Sequence, residues 1–162
     1  MSNAVRPIPE GYHSLTPGIT CKNAASALDF YKKAFGATEI MRMPGPGGMI
    51  MHAEMKIGDS FIFISDEFPG MAVAPSGSGP ASSSLFLYTD NVDDVFNRAV
   101  SEGCQPTMPL SDMFWGDRYG KLVDPFGHHW GLAQHVEDVP PEDMKRRAAE
   151  WTASMAKAAG QS

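Results

Sequence analysis

The stretch Asn23–Ala37, NAASALDFYKKAFGA, decides the fold, because a second stretch repeats its pattern further along the chain. Ala24, Ala27, Leu28, Tyr31 and Phe35 follow one another at spacings of 3, 1, 3 and 4, which places them on one face of an α-helix. Asn23 stands where an N-cap belongs, and Gly36 where the chain leaves a helix through a left-handed residue. Asn91–Gln105, NVDDVFNRAVSEGCQ, places Val92, Val95, Phe96, Ala99 and Val100 on a similar face, with Asn91 before it and Gly103 after it. The two faces align at an offset of 68 residues (24 to 92, 27 to 95, 28 to 96, 31 to 99) and slip by one at the end. An offset held over a whole helix points to an internal duplication.

The flanks repeat as well. SLTPGITC precedes the first helix, and TEIMRM, MIMHAEMKI and SFIFISDE follow it, separated by the turns PGPGG and GDS. SSSLFLYT precedes the second helix, and PTMPLSD, DRYGKLVD and HHWGLAQH follow it, the last two divided by PFG. Each half therefore reads as strand, helix, three strands. The halves span residues 12–68 and 81–136, joined by the Pro/Gly/Ser-rich linker 69–80, and residues 137–162 form a tail. Within the tail, Met144, Ala148, Trp151 and Met155 make one apolar stripe on a helix that opens with Pro, Glu and Asp. Such a stripe packs on its own domain or clasps a second subunit, and both readings stand.

Composition narrows the classes. Lys and Arg number 13 against 19 Asp and Glu, a net charge of -6 with no basic stripe beyond Lys145-Arg146-Arg147, which argues against nucleic acid as a partner. No run approaches the roughly 18 apolar residues that span a bilayer, and the opening MSNAVRPIPEGYHS has no apolar leader core, so no membrane partner is expected and the protein reads as cytoplasmic. The two cysteines, Cys21 and Cys104, belong to no metal-type spacing and read as buried, reduced thiols.

A duplicated βαβββ unit of this length resembles the vicinal oxygen chelate superfamily of glyoxalase I, bleomycin resistance proteins and extradiol dioxygenases. The residues that carry the likeness are ALDFYKKAFGA, FWGDRYGKLVDPFG and DPFGHHW. Together with MHAEMKIGDS they are most similar to its phosphonate-operon or demethylubiquinone-methyltransferase-like branch. The resemblance implies an α+β fold in which tandem βαβββ modules curl a mixed sheet around a cavity, here with a C-terminal helix added. It also implies a homodimer and a small-molecule ligand. Metal-dependent members of the superfamily hold a metal with His or Glu on the first and last strand of each module. Carried over through the LDFY, DN and DPxG anchors, these positions fall on Thr16, on Ile64 or Ser65, on Ser84 and on Gly131. None offers an imidazole or carboxylate, so no cofactor is expected at the usual place.

Strand parity sorts the remaining candidates, because alternate residues share a face. If Gly131 faces the cavity, His129 and His135 do too, while His128, Trp130 and Leu132 face away; His129 is the candidate catalytic or hydrogen-bonding group. Gly131 itself leaves space beside His129. Phe86 and Tyr88 share parity with Ser84 and line the same cavity. The loop DMFWGDRYGK supplies Phe114, Trp115 and Tyr119 as flat surfaces and Asp117 and Arg118 as charges, the mixture that small-molecule pockets use. His52 and Glu54 share a face of their strand, either a solvent rim or cavity lining. With His129 they form the one alternative metal set, close to a two-His, one-carboxylate pattern. Two functions follow: a metal-poor cavity that binds and sequesters an organic molecule, as bleomycin resistance proteins do, or a divalent-metal-dependent lyase, isomerase or dioxygenase with shifted ligands. A filled cavity with no ligand at all is the third.

Overall fold

The computed structural model describes residues 5–77 and 79–160; the first four residues, Ser78 of the linker and the last two residues of the tail lie outside the described residues. The first module runs β1 (Gly18–Cys21), α1 (Ala24–Phe35), β2 (Thr38–Pro44), β3 (Ile50–Ile57) and β4 (Ser60–Asp66). The second runs β5 (Leu85–Tyr88), α2 (Val92–Ser101), β6 (Gln105–Asp112), β7 (Asp117–Val123) and β8 (His129–His135), and α3 (Pro141–Ala159) follows. Each module is one four-stranded mixed sheet, ordered β1-β4-β3-β2 and β5-β8-β7-β6, with the first strand parallel to the last and the other pairs antiparallel.

The helices start and stop where their residues dictate. The Asn23 side chain accepts from the Ser26 amide at 3.0 Å, and Asn91 from the Asp94 amide at 3.4 Å, each satisfying a donor that the first turn leaves orphaned. Gly36 closes α1 at φ 67°, a left-handed conformation that costs a residue with a side chain about 1–2 kcal/mol. A second tie at each helix start repeats at the same offset. Asp66 accepts from the Ala24 amide at 2.7 Å, and Gln134 accepts from the Val92 amide at 3.2 Å. The duplication therefore extends from the apolar faces to the hydrogen bonds that seat each helix on its last strand.

The core is one cluster between helices and sheets that joins Leu28, Tyr31, Phe35, Met55, Ile62 and Ile64 of the first module to Phe96, Ala99, Leu122, Trp130 and Leu132 of the second, with the Phe35 and Trp130 rings 4.5 Å apart. Full burial of such side chains contributes about 1.5–3 kcal/mol each. The modules of this one chain pack on each other through α1 and α2, and a buried carboxylate joins them. Asp124 Oδ2 accepts from the Tyr31 hydroxyl of the first module at 2.7 Å and from Trp130 Nε1 at 2.9 Å, while Oδ1 accepts from the Phe126 and His128 amides. His128 leaves the second module altogether, since its Nε2 meets the Thr20 carbonyl at 2.9 Å. The tail helix lies on its own chain at one end: Arg147 forms a two-pronged pair with Glu137, and Trp151 packs on Phe114 at 5.6 Å. No residue of α3 is buried, and Trp151 and Met155 stay 45% and 54% exposed. No helix among the described residues is long and apolar enough to cross a membrane.

Candidate functional site

Parity divides each sheet into a helix-packed face and an opposite face. On β8, Trp130 and Leu132 enter the core, so His129, Gly131 and His135 share the other side. On β4, Ile62 and Ile64 enter the core, leaving Phe61, Phe63 and Ser65. The inter-strand registers make the modules exact counterparts here: Gly18 pairs with Phe63, and Phe86 with Gly131, both at an offset of 68. Each module thus sets one glycine opposite one phenylalanine across its first and last strands, with the two residues in exchanged places. The register also revises the carry-over of the superfamily's ligand positions. The counterpart of Gly131 is Phe63, whereas Ile64 is buried against the helix layer.

The space expected at Gly131 is filled by its neighbours. A Cβ built on Gly131 would stand 2.9 Å from Phe86 Cδ2 and 2.9 Å from Tyr119 Cε2, because those two rings close over the glycine. They stack with centroids 5.3 Å apart and planes 15° from parallel; Tyr88 lies 5.0 Å from Phe86, and Trp115 lies 5.9 Å from Tyr119. The result is a continuous aromatic face on the second module.

A carboxylate anchors one end of that face. Asp117, only 3% exposed, accepts from the Tyr88 hydroxyl at 2.9 Å, Trp115 Nε1 at 3.0 Å and His135 Nδ1 at 2.8 Å. Burial alone would raise the Asp117 pKa, but the three donors outweigh it and hold the carboxyl below its ordinary value. His135 is raised, by Asp138 on Nε2 first and then by Asp117 on Nδ1. Tyr88 is also raised, chiefly because its hydroxyl serves Asp117.

The remaining predicted residues divide. Ser84, Tyr119, His129 and Gly131 come together around a cavity of about 280 Å3. His129 is not free there, for its Nε2 meets the Gly79 carbonyl of the linker at 2.9 Å. Thr16 sits on the first module beside Tyr12, Glu54 and Phe63. Phe114 meets Trp115 edge-on at 5.1 Å and Trp151 at 5.6 Å, so it links the aromatic face to the tail helix. Arg118 occupies the opposite side of its strand from Asp117 and Tyr119, clamping Asp93 at 2.7 and 2.8 Å and Asp112 at 3.2 Å, so it ties α2 to the sheet. Between the modules runs a groove of about 500 Å3, with Pro17 and Phe61 on one wall and Phe86, Leu87 and Tyr88 on the other.

Neither metal arrangement fits. Thr16, Phe63, Ser84 and Gly131 bring two neutral hydroxyls, a phenyl ring and no side chain, a donor set unsuited to a divalent cation. In the alternative set His52 Nε2 does meet Glu54 Oε1 at 3.2 Å, but His129 is engaged with the linker, and no group of three His, Cys, Asp or Glu able to hold a metal forms among the described residues. Sequence reasoning placed His135 on the cavity face but missed its Asp117 partner across the strand pair, and it missed Tyr12, whose hydroxyl donates to Glu54, altogether.

Comparison with known proteins agrees with the architecture. Residues 13–132 match the model of the Glyoxalase/Bleomycin resistance protein/Dioxygenase superfamily. The Mycobacterium tuberculosis protein Rv0887c is 39% identical over 136 residues, covering 82% of this chain and 80% of its own length. Among solved structures, PA1353 of Pseudomonas aeruginosa superposes with a TM-score of 0.63 at 25% identity, covering 77% of this chain and 99% of that one. TioX of Micromonospora sp. ML1 gives 0.62 at 24% identity over 76% and 99%, a likeness of fold alone. With its paired βαβββ modules and a family match across most of its length, the chain belongs to the glyoxalase/bleomycin resistance protein/dioxygenase superfamily.

Proposed function

We propose that the chain binds a small, flat organic molecule against the aromatic face of its second module and sequesters it without a metal. The observation that carries this reading is the Gly131 gap, which lets Phe86 and Tyr119 lie stacked over β8 with Tyr88 and Trp115 beside them. A flat ligand on such a face gains about 0.5–1.5 kcal/mol per ring pair beyond the area it buries. The adjoining groove of about 500 Å3 is within the size of sites that enclose small ligands. Asp117 serves as the polar anchor through Tyr88 and Trp115, and the Ser84 hydroxyl offers a hydrogen bond at the other end.

Fluorescence titration of Trp115 with a panel of planar aromatic compounds tests the reading. Binders are expected, and Phe86→Ala with Tyr119→Ala should weaken them at least tenfold; ligands that bind the double variant undiminished would defeat it. Elemental analysis of untagged protein checks the metal-free part, which stoichiometric iron, zinc, nickel or manganese would overturn. The same reading makes the protein a homodimer whose second copy covers the half-exposed Ile40, Met41 and Met43 of β2. Light scattering should give twice the chain mass, with Met43→Glu shifting it toward one.

A further inference from the structure

The other module carries a second built site, already filled by a side chain of the protein itself. The segment before β1 crosses the open face of the first sheet, and Tyr12 is its point of attachment. The Tyr12 ring stacks on Phe61 with centroids 3.9 Å apart and planes 15° from parallel. Its hydroxyl donates to Glu54 Oε2, while His52 Nε2 holds Glu54 Oε1 at 3.2 Å and the His52 ring meets Phe63 edge-on at 4.9 Å. The Tyr12 hydroxyl pKa is pushed up to about 12, by the Glu54 hydrogen bond first and burial second, so the group remains a donor throughout the physiological range. Around it lies a cavity of about 480 Å3 reaching from Pro7 to Thr16.

Little else fastens the segment. Val5 and Leu15 are 90% and 85% exposed, and residues 5–11 are exposed throughout. The Tyr12 amide bonds only back within the segment, to the Pro9 carbonyl at 3.1 Å. An aromatic ring with a hydroxyl donor is therefore what the sheet face holds, and the exposed segment that carries it belongs to neither core.

We propose that this face is a binding site for a hydroxyaromatic ligand, its ring on Phe61 and its hydroxyl on Glu54, and that Tyr12 is a built-in competitor which such a ligand displaces. The site belongs to the first module and stands without the reading given for the second. It uses the Glu54 carboxylate as acceptor, with His52 fixing the carboxylate's orientation, and involves no covalent step.

The test titrates the full chain with 2-naphthol and with its methyl ether, which keeps the rings and lacks the donor. Tyr12→Ala should bind 2-naphthol at least tenfold tighter than the unaltered chain, and Glu54→Gln in that background should remove the gain. The methyl ether should show no gain. In the unaltered chain, saturating 2-naphthol should speed hydrogen exchange at residues 9–16, including the Tyr12 amide. Equal binding of 2-naphthol and its ether, no gain on Tyr12→Ala, or unchanged exchange at Tyr12 on saturation would each overturn the proposal. Should Tyr12→Ala fail to fold, Tyr12→Phe keeps the ring, removes the competing donor and should still favour 2-naphthol over its ether; the exchange measurement needs no variant. Because the readouts are the gain on altering Tyr12 and exchange at Tyr12, failure of the second module's aromatic face to bind leaves them intact.

Discussion

A methyl group on Gly131 has no room while Phe86 and Tyr119 stay stacked. The new carbon would stand 2.9 Å from an atom of each ring and 3.2 Å from a second atom of Phe86, so at least one ring must move. Forcing an extra methyl group into a packed site costs about 1–3 kcal/mol. Phe86 is 50% exposed and can swing outward, which places the cost near the lower end and adds the lost stack, about 0.5–1.5 kcal/mol. Against this, alanine restricts the unfolded chain more than glycine and returns about 0.4–1 kcal/mol. The balance is a loss on the order of 1 kcal/mol, which lowers the Tm of a chain this size by about 2–4 °C. Gly18 supplies the control, being the paired glycine of the other module: a Cβ there would meet only Phe63 Cβ, at an ordinary 3.9 Å. Thermal unfolding by circular dichroism should show Gly131→Ala below the unaltered chain and Gly18→Ala level with it or above. Equal shifts for the two variants would refute the claim that the stacked rings occupy the glycine's space, and the proposed binding face with it.

Asp124→Ala should cost about 3–5 kcal/mol in urea unfolding, because it strands the buried Tyr31 hydroxyl and Trp130 indole at the junction of the modules. The His135 pKa is raised, so its contribution is complete below the unfolded value near 6.5 and is lost as pH rises through the folded value. Tm measured from pH 5.5 to 8.5 should therefore fall across that window, and Asp138→Asn should flatten the fall. Asp117 has the opposite sign: its contribution is present above 3.8 and is lost as pH drops through the lowered folded value, a loss that Asp117→Asn abolishes. Arg147→Ala breaks a surface pair worth about 0.5 kcal/mol, so faster hydrogen exchange in α3 with an almost unchanged Tm is the expected result.

What was legible in the sequence follows from the range over which each rule acts. Helix faces, their asparagine caps and the alternation of β8 depend on neighbours three or four residues apart, and each was readable from spacing alone. The contents of the Gly131 gap depend on Phe86, which reaches it only because β5 pairs with β8 in one register. No local pattern encodes that register, although the exchanged Gly18 and Phe63 of the other module repeat it. A one-residue ambiguity there flips a side chain to the opposite face, so spacing alone gives Ile64 or Ser65 as the ligand position, and the pairing of Gly18 with Phe63 makes Phe63 the counterpart of Gly131. The stretch read as the loop DMFWGDRYGK is strand from Asp117 onward, so parity sends the adjacent charges Asp117 and Arg118 to opposite faces. Their partners come from further away: one is buried among aromatic donors, and the other clamps Asp93 of α2, 24 residues upstream of Asp117. Tyr12 is the extreme case, since nothing within the segment around it announces a partner 42 residues away. The side chains that define both proposed sites are thus those placed by long-range pairing, while the scaffold beneath them is written locally and twice.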